Sequence, residues 1–171
     1  MVMGVAGSGK STVARAVSAA TGFRFAEADE FHSARAIARM RAGVPLGDAD
    51  REPWLRALAA WITARDAEGR STVLACSALR RRYRVILTAA AATVAFAHLD
   101  GPADLLRERV AQRPDHYMPA SLVESQLDTL EPLAPDEPGV VLEASRSLDD
   151  LVGTIIRSLD LPDSRDFTYV N

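Results

Sequence analysis

Residues 4–11 read Gly4-Val5-Ala6-Gly7-Ser8-Gly9-Lys10-Ser11 and satisfy the spacing G-x-x-x-x-G-K-[ST] without a mismatch. Such an octet needs a strand to deliver it and a helix to leave it. Val2, Met3 and Val5 supply a short apolar strand over 2–5, and Val13, Ala16 and Val17 recur at helical spacing over 10–20. The glycines tolerate positive φ, which lets backbone N–H groups converge on an anion. The positive end of the following helix points at the same spot. Gly7, Ser8, Gly9, Lys10, Ser11 and Thr12 are therefore the candidate phosphate-binding residues of a nucleoside triphosphate site.

Composition sharpens that reading. Of 20 basic residues, all but Lys10 are arginine. The bias toward Arg stops at the position where a compact ammonium has to reach the β- and γ-phosphates from beneath a tight loop, a place too narrow for a guanidinium. Ser11 offers its hydroxyl to Mg²⁺.

A chain of 171 residues, 48% hydrophobic and 25% charged, is expected to form a single domain over 1–171. The net charge of −3 gives no bulk attraction to nucleic acid or anionic membrane. No apolar run approaches the roughly 20 residues of a membrane span, and the N-terminus reads as a strand instead of a signal peptide. A cytoplasmic location is the expectation. The single cysteine, Cys76, lies in an apolar run, reads as a small buried hydrophobe and fits a reducing compartment.

Apolar runs at 23–27, 72–76, 93–99 and 139–143 alternate with helical patterns at 33–42, 51–68, 79–90, from 102, and at 148–159. Pro53 falls in the first turn of the helix at 51–68, and Trp54 and Trp61 on it read as core. The stretch 112–138 is Pro-rich and reads as irregular, and the tail after Pro162 as frayed. Buried strands separated by helices form a parallel sheet covered on both faces, a three-layer α/β fold. Ligands then collect at the carboxyl ends of the strands.

Glu27 and Asp29 stand at such an end, two residues apart, and suit metal or acid/base work in phosphoryl transfer. Asp48 and Asp50 read as helix caps. Arg51 opposes the dipole of the helix it opens, a conflict that an anionic substrate relieves. Arg80 to Arg84 read as a solvated helix face or a nucleic-acid patch, with Arg80 alternatively gripping a carboxylate. Arg109 and Arg113, one turn apart ahead of the Pro-rich stretch, suggest a lid that excludes water and supplies charge. His98 reads as core. The three histidines and one cysteine have no zinc-ligand spacing.

Several blocks together carry a family resemblance. They are the loop; Asp29 with His32; Met40-Arg41-Ala42-Gly43-Val44-Pro45-Leu46-Gly47-Asp48-Ala49-Asp50-Arg51-Glu52-Pro53-Trp54-Leu55; Ala75-Cys76-Ser77-Ala78-Leu79-Arg80; Arg113-Pro114-Asp115-His116-Tyr117-Met118-Pro119; and Ser125-Gln126-Leu127-Asp128-Thr129-Leu130-Glu131-Pro132. In this order they resemble the gluconokinases, small P-loop sugar-acid kinases related in fold to shikimate and nucleoside monophosphate kinases. The resemblance implies a five-stranded parallel sheet in the order 2-3-1-4-5 with a lid over about 112–130. It also implies ATP and Mg²⁺ as cofactors, gluconate phosphorylated at its 6-hydroxyl, and a homodimer.

By position, the resemblance makes Asp29 the group that orients or deprotonates the hydroxyl, with Lys10 and Arg113 beside it in catalysis. Ser11 and Glu27 become the metal shell. His32, Arg51, Arg80, His116 and Gln126 become acceptor contacts, and Arg109 and Arg113 nucleotide arginines. Ala28 stands where the family has Gly, Ser33 where it has Pro and Ala36 where it has Asn; Arg39 and Arg80 replace lysines. A kinase for a related sugar acid or polyol, or a nucleotide-binding regulator without transfer, are the competing readings.

Overall fold

The computed structural model describes residues 1–44, 46–91, 93–112 and 120–163. Five strands, β1 (Val2–Met3), β2 (Arg24–Glu27), β3 (Thr72–Ala75), β4 (Phe96–Asp100) and β5 (Gly139–Glu143), form one parallel sheet in the order β2-β3-β1-β4-β5. β1 lies at its centre, with Val2 opposite both Ala75 and Ala97. Val73 to Ala75 and Phe96 to Leu99 are consecutively buried, as strands covered on both faces require.

Helices α1 (Lys10–Thr21) and α7 (Leu148–Ser158) cover one face. Val13, Ala14 and Val17 of α1 pack with Leu151, Val152, Ile155 and Ile156 of α7 over Val2, Val73, Ala97 and Leu142. Gly22 stops α1 because it takes φ 73° and returns its N–H to the Ser18 carbonyl. Ser147 starts α7 by accepting the Asp150 N–H, with two aspartates in the first turn facing the helix dipole. Helices α3 (Asp48–Ala67) and α4 (Arg81–Thr88) cover the other face, where Trp54, Leu55, Leu58 and Ile62 meet Met3, Leu74, Tyr83, Leu87 and Phe96. Burying each of these large side chains is worth about 1.5–3 kcal/mol. The remaining helices are α2 (Ala34–Arg41), α5 (Ala103–Ala111) and α6 (Ala120–Thr129).

Several boundaries differ from the sequence expectation. α3 begins at Asp48 because Asp50 accepts the Gly47 N–H, so Pro53 falls in the second turn instead of the first. β4 begins at Phe96 instead of residue 93. Its ladder partner β5 starts only after Pro138, which has no N–H to give. Within the stretch read as irregular, α6 is a helix whose Val123 is fully buried between the loop and α5, with Leu127 and Leu130 packed beside it. The spacing of 123, 127 and 130 was a helical signal, obscured by the surrounding prolines.

Arg84 corrects the reading of a solvated basic face. It is 1% exposed. Its guanidinium grips Glu137 through two bonds of 2.6 and 2.8 Å and donates to the carbonyls of Ala78, Leu79, Glu131 and Pro132. That planar fork ties the segment after α6 to the segment that follows β3. The arrangement predicts that Arg84→Met, which strands the Glu137 carboxylate, lowers unfolding free energy by about 3–5 kcal/mol in urea titrations, and that Arg84→Met with Glu137→Leu recovers part of the loss.

Candidate active site

The loop of residues 4–11 joins β1 to α1 at the carboxyl edge of the sheet. Gly4, Gly7 and Gly9 take φ of 140°, 83° and 90°. A Cβ on Gly7 would sit 2.4 Å from the Leu106 carbonyl oxygen of α5, and one on Gly4 would sit 2.6 Å from that of Leu99. These glycines therefore answer to close packing as well as to chain reversal. Ser8 is buried to 1%, so it offers a ligand its backbone and not its hydroxyl. The Lys10 ammonium donates to the Val5 carbonyl at 2.9 Å, folding back across the loop. The first-turn N–H groups of α1 lack intrahelical acceptors by construction and face the same space.

Beside the loop opens a cavity of about 360 Å³. Lys10, Ser11, Glu27, Asp29, His32, Arg51, Arg80 and Gln126 all line it, so the fold gathers these candidates from five separate segments of chain. Glu27 ends β2 and lines the cavity together with Ser11. Burial raises its pKa above the ordinary carboxylate value, only partly offset by the Ser11 hydroxyl. Asp29 follows in a 3₁₀ turn (Ala28–Phe31) and forms no ion pair among the described residues. Oxygen donors this few and this hard suit Mg²⁺, which keeps most of its waters. Among the described residues no group of three or more His, Cys, Asp or Glu is arranged to hold a metal.

His32 lines the cavity and is held there by a stack. Its ring lies parallel to Trp54, centroids 4.7 Å apart, while the Trp54 indole N–H donates to the Ala28 carbonyl at 2.7 Å. Trp54 is thus core, as its helical position implied, and also fixes a cavity wall. Burial lowers the His32 pKa, and its Nδ1 has no partner among the described residues.

Another part of the lining is built on Asp48. Its carboxylate accepts from the Tyr83 hydroxyl and pairs with Arg82, and Arg80 Nη1 approaches at 3.5 Å. The Tyr83 bond, then Arg82, hold Asp48 below the usual carboxylate range. Asp48 therefore organises this wall and does not cap α3. Arg51 donates to the Leu46 carbonyl at 3.2 Å and has no carboxylate partner among the described residues. An unpaired guanidinium facing a cavity favours an anionic ligand.

On the α6 side, Ser125, Gln126 and Thr129 complete the lining, and Gln126 accepts the Ala6 N–H of the loop at 2.7 Å. Arg109 reaches the Ala144 carbonyl beyond β5 at 2.9 Å and is not among the lining residues. Arg113 and His116 lie outside the described residues.

The family model described as AAA domain matches residues 1–133. The chain is 39% identical to the gluconokinase of Gluconobacter oxydans, covering 95% of this chain and 92% of that one. The chain belongs to the gluconokinase family. A solved sugar kinase from a Janibacter species superposes with a TM-score of 0.90 at 51% identity, over 94% of this chain and 92% of that one. A gluconokinase from Sinorhizobium meliloti gives 0.84 at 39%, over 93% and 89%.

The positions that the family resemblance marks as departures have these local surroundings. Ser33 caps α2 by accepting the Ala36 N–H at 3.2 Å. Ala28 is completely buried, and Ala36 is buried and outside the cavity lining. Arg39 pairs with Asp50 at 2.5 Å. Cys76 is buried, which pushes its thiol up to about 12 and leaves it inert. The sequence reading missed Tyr83 and the role of Asp48, because the bond between them spans 35 residues.

His98, inside β4 and 2% exposed, also has a pKa lowered by burial, with neither ring nitrogen partnered among the described residues. Kept neutral in the fold, it binds fewer protons there than in the unfolded chain, so its contribution falls as pH drops below the ordinary histidine value of about 6.5. Between pH 7.5 and 5.5 the parent should lose more stability than a His98→Leu variant, by at most about 1.4 kcal/mol per pH unit. Urea midpoints across that range measure it, and parallel profiles would contradict it.

Proposed function

We propose that this chain transfers the γ-phosphoryl group of ATP to the 6-hydroxyl of gluconate, giving 6-phosphogluconate and ADP. The observation that carries the reading is one cavity lined by the phosphate loop, by the Asp29 carboxylate and by the Arg51 guanidinium, neither of which has a charged partner among the described residues. Nucleotide binding alone requires neither. A carboxylate for the hydroxyl proton and a cation for the acceptor's own carboxylate are what a sugar-acid kinase needs.

Lys10 and the loop N–H groups hold the β- and γ-phosphates. Asp29 takes the proton as the hydroxyl oxygen bonds to the γ-phosphorus, and the bond to the bridging oxygen breaks to release ADP. Arg51, Arg80 and His32 orient the acceptor, with Asp48 and Tyr83 setting the position of Arg80. Ser11 and Glu27 would hold Mg²⁺, which when bound neutralises charge on the phosphate oxygens. The half-buried Glu27 carboxylate, whose pKa is raised, suits a neighbouring cation. Arg109, Arg113 and His116 belong to the lid side of the same proposal.

A cytoplasmic homodimer is part of the proposal too, supported by the family resemblance and by the single buried cysteine. Among the described residues no helix is long and apolar enough to cross a membrane.

The test is ADP release with Mg²⁺-ATP against gluconate, other sugar acids, shikimate and nucleoside monophosphates. Gluconate should stimulate release most, and no stimulation by any acceptor would return the reading to a nucleotide-binding regulator. Lys10→Met and Asp29→Asn should each lower kcat by about 10²–10³-fold or more while the fold persists. Near-normal turnover by either variant would remove the role assigned to it.

A further inference from the structure

Gln126 reaches across 120 residues of sequence to accept the Ala6 N–H at 2.7 Å. A backbone N–H only donates, so the side-chain amide is oriented without ambiguity: its oxygen is spent on the loop and its NH₂ is directed away from it. That NH₂ has no partner among the described residues, and the side chain lines the cavity shared by Lys10, Asp29 and Arg80.

The helix that carries Gln126 is seated firmly on the loop. Val123 is fully buried among Val5, Ala6, Leu79, Leu106 and Val110. Just past its end, the Glu131 N–H donates to the Leu79 carbonyl at 2.8 Å, and the Glu131 carboxylate accepts the Arg81 N–H at 2.6 Å. α6 is thereby fixed both to the phosphate loop and to the start of α4, which bears the acceptor wall.

We propose that Gln126 is a positioning residue that couples the phosphate loop to the acceptor seat. Its amide oxygen holds the loop at Ala6. The same bond turns its NH₂ toward the oxygens of the phosphoryl group in transit. The family resemblance makes Gln126 an acceptor contact, whose loss would raise the acceptor KM; a coupling role instead acts on kcat. The inference rests on the gluconate kinase reading for its kinetic arm only.

The test uses the full chain with Gln126→Met, which keeps length and loses the amide, and Gln126→Glu, which keeps an acceptor for Ala6 and loses the donor. Amide hydrogen exchange at Ala6, followed by NMR without ligands, should quicken by about tenfold in Gln126→Met and stay at the parent rate in Gln126→Glu. With gluconate and ATP, both variants should lose about 30–100-fold in kcat while each KM moves less than about threefold. ADP release should also outrun phosphogluconate formation. Unchanged Ala6 exchange in Gln126→Met overturns the coupling whatever the acceptor proves to be. Parent-like kcat with a raised gluconate KM overturns it in favour of a plain acceptor contact. A parent protein inert toward gluconate would defeat the functional reading and leave the exchange measurement to decide the coupling.

Discussion

The structure depends on a loop whose backbone must present N–H groups to an anion while being too tightly packed to bear side chains. Gly4 and Gly7 face carbonyl oxygens of Leu99 and Leu106 at distances no Cβ can occupy. Those contacts fix where β4 ends and where α5 lies. α5 and the loop bury Val123, which seats α6, and α6 returns Gln126 to the loop. A requirement for backbone donors in one turn thus propagates into the placement of two helices from the second half of the chain.

The cavity beside the loop is electrostatically uneven in a way that suits its proposed use. Asp48 is saturated by Tyr83, Arg82 and Arg80, whereas Asp29 and Arg51 have no charged partner among the described residues. Saturated groups hold shape; groups without a charged partner keep their interaction free energy for a ligand. The His32 and Trp54 stack follows the same division. Trp54 is anchored through Ala28 in the core, and the ring it supports keeps a nitrogen with no hydrogen-bond partner among the described residues.

Much of this was legible in the sequence because it is local. The octet and its flanking strand and helix lie within 20 residues, and β5 appears over the residues its apolar run marked. Trp54 and His98 were assigned to the core from position alone. What was misread depends on contacts between distant segments. Arg84 belongs to a run of four arginines whose three other members are at least partly exposed, and only the approach of Glu137, 53 residues later, removes it from water. Asp48 resembled a helix cap because capping is what an aspartate there does in an isolated helix.

By itself the sequence determined the phosphate loop, the sole lysine within it, the alternation of strands and helices, and the presence of carboxylates at the end of β2. These follow from residue spacing and backbone chemistry, which act within a few turns. Only the tertiary structure decided which charges are already neutralised and which remain for a ligand. It also decided that a segment crowded by prolines contains a helix locked to the loop. The physical reason is that pairing and desolvation are set by distance in space, and the bonds from Tyr83 to Asp48, Arg84 to Glu137 and Ala6 to Gln126 close over 35, 53 and 120 residues.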